Sequence, residues 1–114
     1  MDNYEIFKLF FEALDSVWDT EKDEDLGNFL SSMNPYLFKD KGSAVPWIYE
    51  KFKKEFIKKY ENEKVKLNYE DAYNFCNDVI SAIEEDNEIS NKIKKYFSRI
   101  TIEEWKDAFN KVTK

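Results

Sequence analysis

Large apolar side chains return every third or fourth position along this chain, and no segment alternates apolar and polar residues in the manner of a strand. Between residues 4 and 19 the recurring set is Phe7, Phe10, Phe11, Leu14, Val17 and Trp18, with Glu5, Lys8, Glu12, Asp15 and Asp19 on the other side. At 3.6 residues per turn this spacing gathers the rings into one stripe, so the segment reads as a surface helix with a buried aromatic face. Thr20 is placed to cap a second helix whose first turn carries Glu21, Asp23 and Glu24, acids that suit the positive end of a helix dipole. Leu26, Phe29, Leu30 and Met33 form its core face, and Pro35 disfavours the helical conformation of Asn34 and ends it there. Gly27 falls inside this helix, where glycine costs up to ~1 kcal/mol relative to alanine, so close packing of a ring or a second helix on that spot is expected.

Residues 35–45 form the longest irregular stretch, with Gly42 and the turn formers Asp40 and Ser43. A third helix starts at Ser43 or just after it, with Pro46 in its first turn. It turns Ile48, Tyr49, Phe52, Phe56 and Tyr60 inward and Lys51, Lys54 and Lys58 outward. After a polar loop over 61–67, Asn68 and Asp71 resemble a capping box for a fourth helix reaching Glu85, with Ala72, Tyr73, Cys76, Val79, Ile80 and Ile83 on one face. Ile89, Ile93, Tyr96, Phe97 and Ile100 mark a fifth helix, whose C-terminal half holds Lys92, Lys94, Lys95 and Arg99. Thr101 and Glu104 make a Thr-x-x-Glu capping box for a last helix that runs toward Val112, with Ile100 and Trp105 spaced as a hydrophobic staple. The expected fold is all-α: a single compact bundle of five to six amphipathic helices over residues 1–114, without internal repeats or low-complexity tracts.

Composition agrees with a packed domain. Twenty of the 114 residues are aromatic and 42% are apolar, more large hydrophobes than disordered chains carry. The net charge of −6 opposes nonspecific attraction to phosphate backbones and anionic lipid, so neither nucleic acid nor a membrane is expected as a partner. The first residues lack the basic start and apolar run of a secretion signal, and no stretch approaches the ~20 apolar residues that span a bilayer. A single cysteine forms no internal disulfide, which agrees with a reducing compartment. Seventeen lysines against one arginine, with abundant Asn, Ile, Phe and Tyr, match the usage of AT-rich bacterial genes. The expectation is a cytoplasmic bacterial protein.

Chemistry is sparse. With no histidine, the usual acid-base partners of serine and cysteine nucleophiles and the histidine-containing zinc sites are missing. Cys76 lies on the apolar stripe of the fourth helix and reads as a small buried hydrophobe. Neither Gly27 nor Gly42 belongs to a phosphate-binding loop pattern. The alternating acids Asp19, Glu21, Asp23 and Asp25 resemble the opening of a calcium loop, but Glu24 stands where the sharp turn needs glycine and Leu30 where the bidentate glutamate belongs. No catalytic residue, cofactor or metal ligand is therefore assigned, and the chain is expected not to be an enzyme.

What remains is surface. Residues 1–44 hold ten acids and four lysines, while residues 45–66 hold seven lysines against four glutamates. Such segregation orients a partner or aligns copies of one chain head to tail. The segment Asn34, Pro35, Tyr36, Leu37, Phe38 places large apolar residues in an irregular connection, with Trp47 shortly after. Rings in such a place either plug the core or anchor a partner. On the anchor reading, Tyr36, Phe38 and Trp47 beside Asp19, Glu21, Asp23, Glu24 and Asp25 form the binding surface. The leading expectation is a non-catalytic protein acting through contacts with a basic protein partner, as an inhibitor, an immunity-type protein or a regulatory adaptor. The alternatives are a self-associating scaffold, and a histidine-free enzyme or small-molecule binder with a pocket between helices.

Overall fold

The computed structural model describes residues 1–35, 47–62, 64–84 and 88–113, without the side chains at 47, 83, 84 and 88–90. Those residues form six helices: α1 (Asn3–Glu21), α2 (Glu24–Met33), α3 (Trp47–Tyr60), α4 (Tyr69–Glu84), α5 (Glu88–Ser98) and α6 (Ile102–Thr113). Among them no strand occurs, only an isolated bridge between Asp2 and Lys64. The radius of gyration is 13.2 Å, close to the ~13 Å that chain length sets for a compact globule.

The central element is α1, which touches all five other helices. This corrects the expectation of a surface helix with one aromatic stripe. Asn3, Ile6, Phe7, Leu9, Phe10, Phe11, Ala13, Leu14 and Val17 are all buried, so burial extends around more than half of the helix circumference. Ile6, Leu9 and Ala13 sit at positions that a one-sided stripe leaves to solvent. A helix surrounded by neighbours needs apolar residues beyond a single stripe, and α1 has them.

The ends of the helices follow from local chemistry. Asp2 caps α1, its carboxylate accepting from the Glu5 amide at 2.8 Å while Glu5 accepts from the Asp2 amide at 3.1 Å. Lys22 closes α1 in the left-handed region at φ 52°, and its N–H donates to the Trp18 carbonyl. Thr20 is not the cap of α2: it lies inside α1, where its hydroxyl donates to the Val17 carbonyl. The cap is Asp23, which accepts from the amides of Asp25 at 2.8 Å and Leu26 at 3.3 Å. The two candidates stand three positions apart, and α1 runs through the earlier one because its own backbone bonds continue to Lys22. Asn68 accepts from the Asp71 amide at the start of α4, and Thr101 and Glu104 form the reciprocal box at the start of α6. Both arrangements agree with the spacing of those residues in the sequence.

Rings from five helices knit the core. Phe52 meets Phe7 at 5.2 Å and Phe10 at 5.1 Å between ring centres, and Phe75 reaches Phe52 and Phe56 at 6.0 and 5.7 Å. Phe10 also lies 5.6 Å from Phe97, which stacks on Tyr73 at 4.9 Å and meets Trp105 edge-on. Offset and edge-to-face geometries such as these suit the ring quadrupole. Phe75 is 1% exposed and central to this network, although it lies beside rather than on the stripe read from Cys76 and Val79. The expected start of the third helix at Ser43 or Pro46, the expected end of the fourth at Glu85, and the side chains of Ile83 and Ile89 lie outside the described residues.

Candidate functional site

The acidic residues marked in the sequence have different surroundings. Glu21 pairs with Arg99 at 2.5 Å, Asp25 with Lys92 at 2.6 Å, and Asp23 accepts the Tyr96 hydroxyl at 2.6 Å with Lys92 a further 3.6 Å away. The Tyr96 hydrogen bond, with help from the cap amides and Lys92, holds the Asp23 carboxyl below its ordinary range. The same hydrogen bond pushes the Tyr96 hydroxyl up, and the bond to Asp25 raises Lys92. These acids therefore fasten the α1–α2 corner to α5, and much of the charge they offered a partner is answered within the chain. Glu24 stays exposed and makes no ion pair among the described residues, and Asp19 lies 4.0 Å from Lys22. The expected companions Tyr36 and Phe38 lie outside the described residues, as does the side chain of Trp47.

A second acidic surface was not legible in the sequence. Between α1 and α6 lies a cleft of about 260 Å³ whose walls include Glu12, Asp15 and Asp19 from one helix and Glu104, Asp107 and Lys111 from the other. Glu12 and Asp15 stand some ninety or more positions from Asp107 and Lys111 in the sequence, so only the packing of α6 on α1 brings them together. The single lysine is engaged: Lys111 pairs with Glu12 at 2.9 Å, and this bond raises the Lys111 ammonium. Glu104 is tied into its capping box, whereas Asp107 makes no ion pair among the described residues. Burial, then repulsion from Asp19 and Glu12, raises the Asp15 carboxyl above its ordinary value, and attraction to Lys111 and Lys22 opposes this. Burial is the larger cause, and the repulsion that adds to it shows that Asp15 senses the charges of Asp19 and Glu12. Among the described residues no group of three or more acids or cysteines converges closely enough to hold a metal ion.

The third feature is an aromatic cleft of about 360 Å³ between the first turns of α4 and α6. Tyr69, Tyr73, Ile100, Ile102 and Trp105 supply its apolar walls, with Glu70 and Asn74 at its polar side. Trp105 is 1% exposed and its indole N–H donates to the Tyr69 carbonyl at 2.7 Å, which joins the two helices. Ile102, by contrast, is 60% exposed.

Cys76 is fully buried, and burial alone pushes its thiol well up from its ordinary value. A thiol held in that form is a poor nucleophile. Among the described residues no helix is long and apolar enough to cross a membrane. Comparison with known proteins gave no match to any family model, curated protein or solved structure.

Proposed function

We propose that this protein is a non-catalytic binding protein of the bacterial cytoplasm that takes a basic segment of a partner protein into the cleft between α1 and α6, acting as an inhibitor, an immunity-type protein or a regulatory adaptor. The observation that carries this reading is the gathering of Glu12, Asp15, Asp19, Glu104 and Asp107 in one cleft, where the one lysine is already committed to Glu12. Carboxylates that repel one another are stabilised by an arriving ammonium or guanidinium, so the cleft favours cationic side chains. Glu21, Asp23 and Asp25 of the α1–α2 corner are poorer candidates because α5 already neutralises them.

An NMR titration with oligolysine and oligoglutamate tests the proposal. Oligolysine is expected to shift amides around Asp15, Ala108 and Lys111, with an effect that fades as salt rises, and oligoglutamate to shift none of them. The pair of changes Asp15→Asn and Asp107→Asn should weaken oligolysine about fivefold, the worth of two partly exposed ion pairs. Both positions avoid the capping box of Glu104. Shifts centred on Glu24 and Asp25 instead, or an affinity that ignores the double change, would refute it.

One observation favours self-association as a second reading. On the outer face of α3, Lys53, Lys54 and Lys58 surround Ile57, which is 48% exposed. That face complements the acidic cleft of another copy, and a contact between unlike surfaces propagates into rings or filaments. Light scattering that finds a monomer at every ionic strength removes this reading.

A further inference from the structure

We infer that the aromatic cleft between α4 and α6 seats one large apolar side chain of the same basic partner, carried about three residues from its cations. The inference rests on the basic-partner reading above and adds to it the chemistry of the anchor.

The two clefts lie on opposite flanks of α6. At about 100° per residue, Ile102 and Glu104 stand about 200° apart around α6. Accordingly Ile102 and Trp105 line the aromatic cleft while Glu104, Asp107 and Ala108 line the acidic one. A helix with its side chains is about 10 Å across. An extended segment crossing it covers that distance in about three residues at ~3.3 Å each. A single strand of partner chain can thus set a cation in one cleft and an anchor in the other.

The aromatic cleft is prepared for such a group. Its floor is fixed: Trp105 is held by the Tyr69 carbonyl, and Tyr73 is stacked on Phe97 at 4.9 Å and meets Trp105 at 5.5 Å. A floor with no freedom to collapse loses little entropy when a ligand arrives. Ile102 stands at the lip with most of its surface in water, and it is one of two large apolar side chains exposed among the described residues. Covering it removes an unfavourable exposure. The charge at the margin matches the same partner, since Glu70 lines this cleft and the acidic cleft shares α6 as a wall. Lys106 opposes it; its ammonium sits 4.7 Å from the Tyr69 ring centre, where that ring already receives a cation.

The experiment uses the full chain and two synthetic peptides with blocked ends, each bearing two lysines, one with tryptophan three residues further on and one with alanine there. The Trp105 indole N–H resonance and the Ile102 amide report on the aromatic cleft. The tryptophan peptide is expected to bind about tenfold more tightly, a fraction of the value of burying such a ring, and to shift both signals. Ile102→Ser should abolish most of that advantage while leaving the alanine peptide unaffected, and Lys106→Ala should tighten both. Equal affinities for the two peptides, or an advantage indifferent to Ile102→Ser, overturn the anchor. So does N-acetyltryptophanamide binding as tightly as the tryptophan peptide, which would make the cleft a small-molecule site. If the alanine peptide binds and the Asp15→Asn, Asp107→Asn protein binds it about fivefold more weakly, the basic-partner reading survives the loss of the anchor. If neither peptide binds, both fall.

Discussion

The indole of Trp18 lies against the backbone of Gly27, so close that a β-carbon added at Gly27 would stand 2.8 Å from the indole nitrogen and 3.4 Å from the adjoining ring carbon. This contact explains a glycine in the middle of α2, where helix propensity disfavours it. The Lys22 ammonium covers the same indole at 3.8 Å from a ring centre, so the ring is held from a second side.

Gly27→Ala sets two effects against each other. Propensity alone gives alanine an advantage of about 1 kcal/mol, while displacing a packed ring costs about 1–3 kcal/mol. The clash should win, and the substitution should destabilise by about 1 kcal/mol in urea unfolding. Combined with Trp18→Leu, the loss should be smaller than the sum of the two single losses by a similar amount. A stabilised Gly27→Ala protein contradicts the packing described here.

The corner held by α5 should depend on Asp23 more than on its neighbours. Asp23 caps α2, accepts the Tyr96 hydroxyl and faces Lys92, whereas Asp25 answers only Lys92. Asp23→Ala is expected to lower the melting temperature by several degrees and Asp25→Ala by much less. Because the Asp23 carboxyl is lowered in the folded protein, its contribution is present above the ordinary carboxylate range and is lost as pH falls through the lowered value. The difference between wild type and Asp23→Ala should therefore narrow in acid. Equal melting temperatures for the two variants at neutral pH would dismiss this ranking.

Asp15 behaves in the opposite sense. Its carboxyl is raised in the fold, so its ionised form weakens the folded state at neutral pH, and protonation relieves that as pH falls through the raised value. Asp15→Asn should raise the melting temperature near pH 7, and the gain should shrink as pH falls through the raised value, where the wild-type group takes up its own proton. A melting temperature lowered by Asp15→Asn at neutral pH would show that attraction to Lys111 outweighs burial and repulsion.

Cys76 should react with a disulfide reagent only as fast as the core opens. Labelling in native buffer is expected to be slower than labelling of the urea-unfolded chain by several orders of magnitude. Cys76→Ser, which leaves a hydroxyl in an apolar site, should cost about 1–3 kcal/mol. Rapid native labelling would be inconsistent with a buried thiol.

Much of the architecture was legible in the sequence because helical period, caps and breakers are local properties. The core face of α2, the boxes at Asn68 and Thr101, the inert setting of Cys76 and close packing over Gly27 by a ring or a helix all follow from residues a few positions apart. Where two local signals competed, sequence reading chose wrongly: Thr20 and Asp23 are both acceptable caps, and the length of α1 decided between them. The capping pair Asp2 and Glu5 was present in the sequence as well, with an aspartate in the serine or threonine position of the usual pattern.

The candidate surface was hardly legible at all. Asp15 and Asp107 share a cleft, and Ile102 and Tyr73 another, through contacts between helices that no periodicity encodes. Local spacing tells each helix which side is apolar, and it determined an all-α chain of helices with caps at defined places. Which helix lies at the centre, which acids are answered by α5 and which stand together across α1 and α6 was decided by tertiary packing alone, because Coulomb forces and van der Waals contact depend on distance in space rather than along the chain.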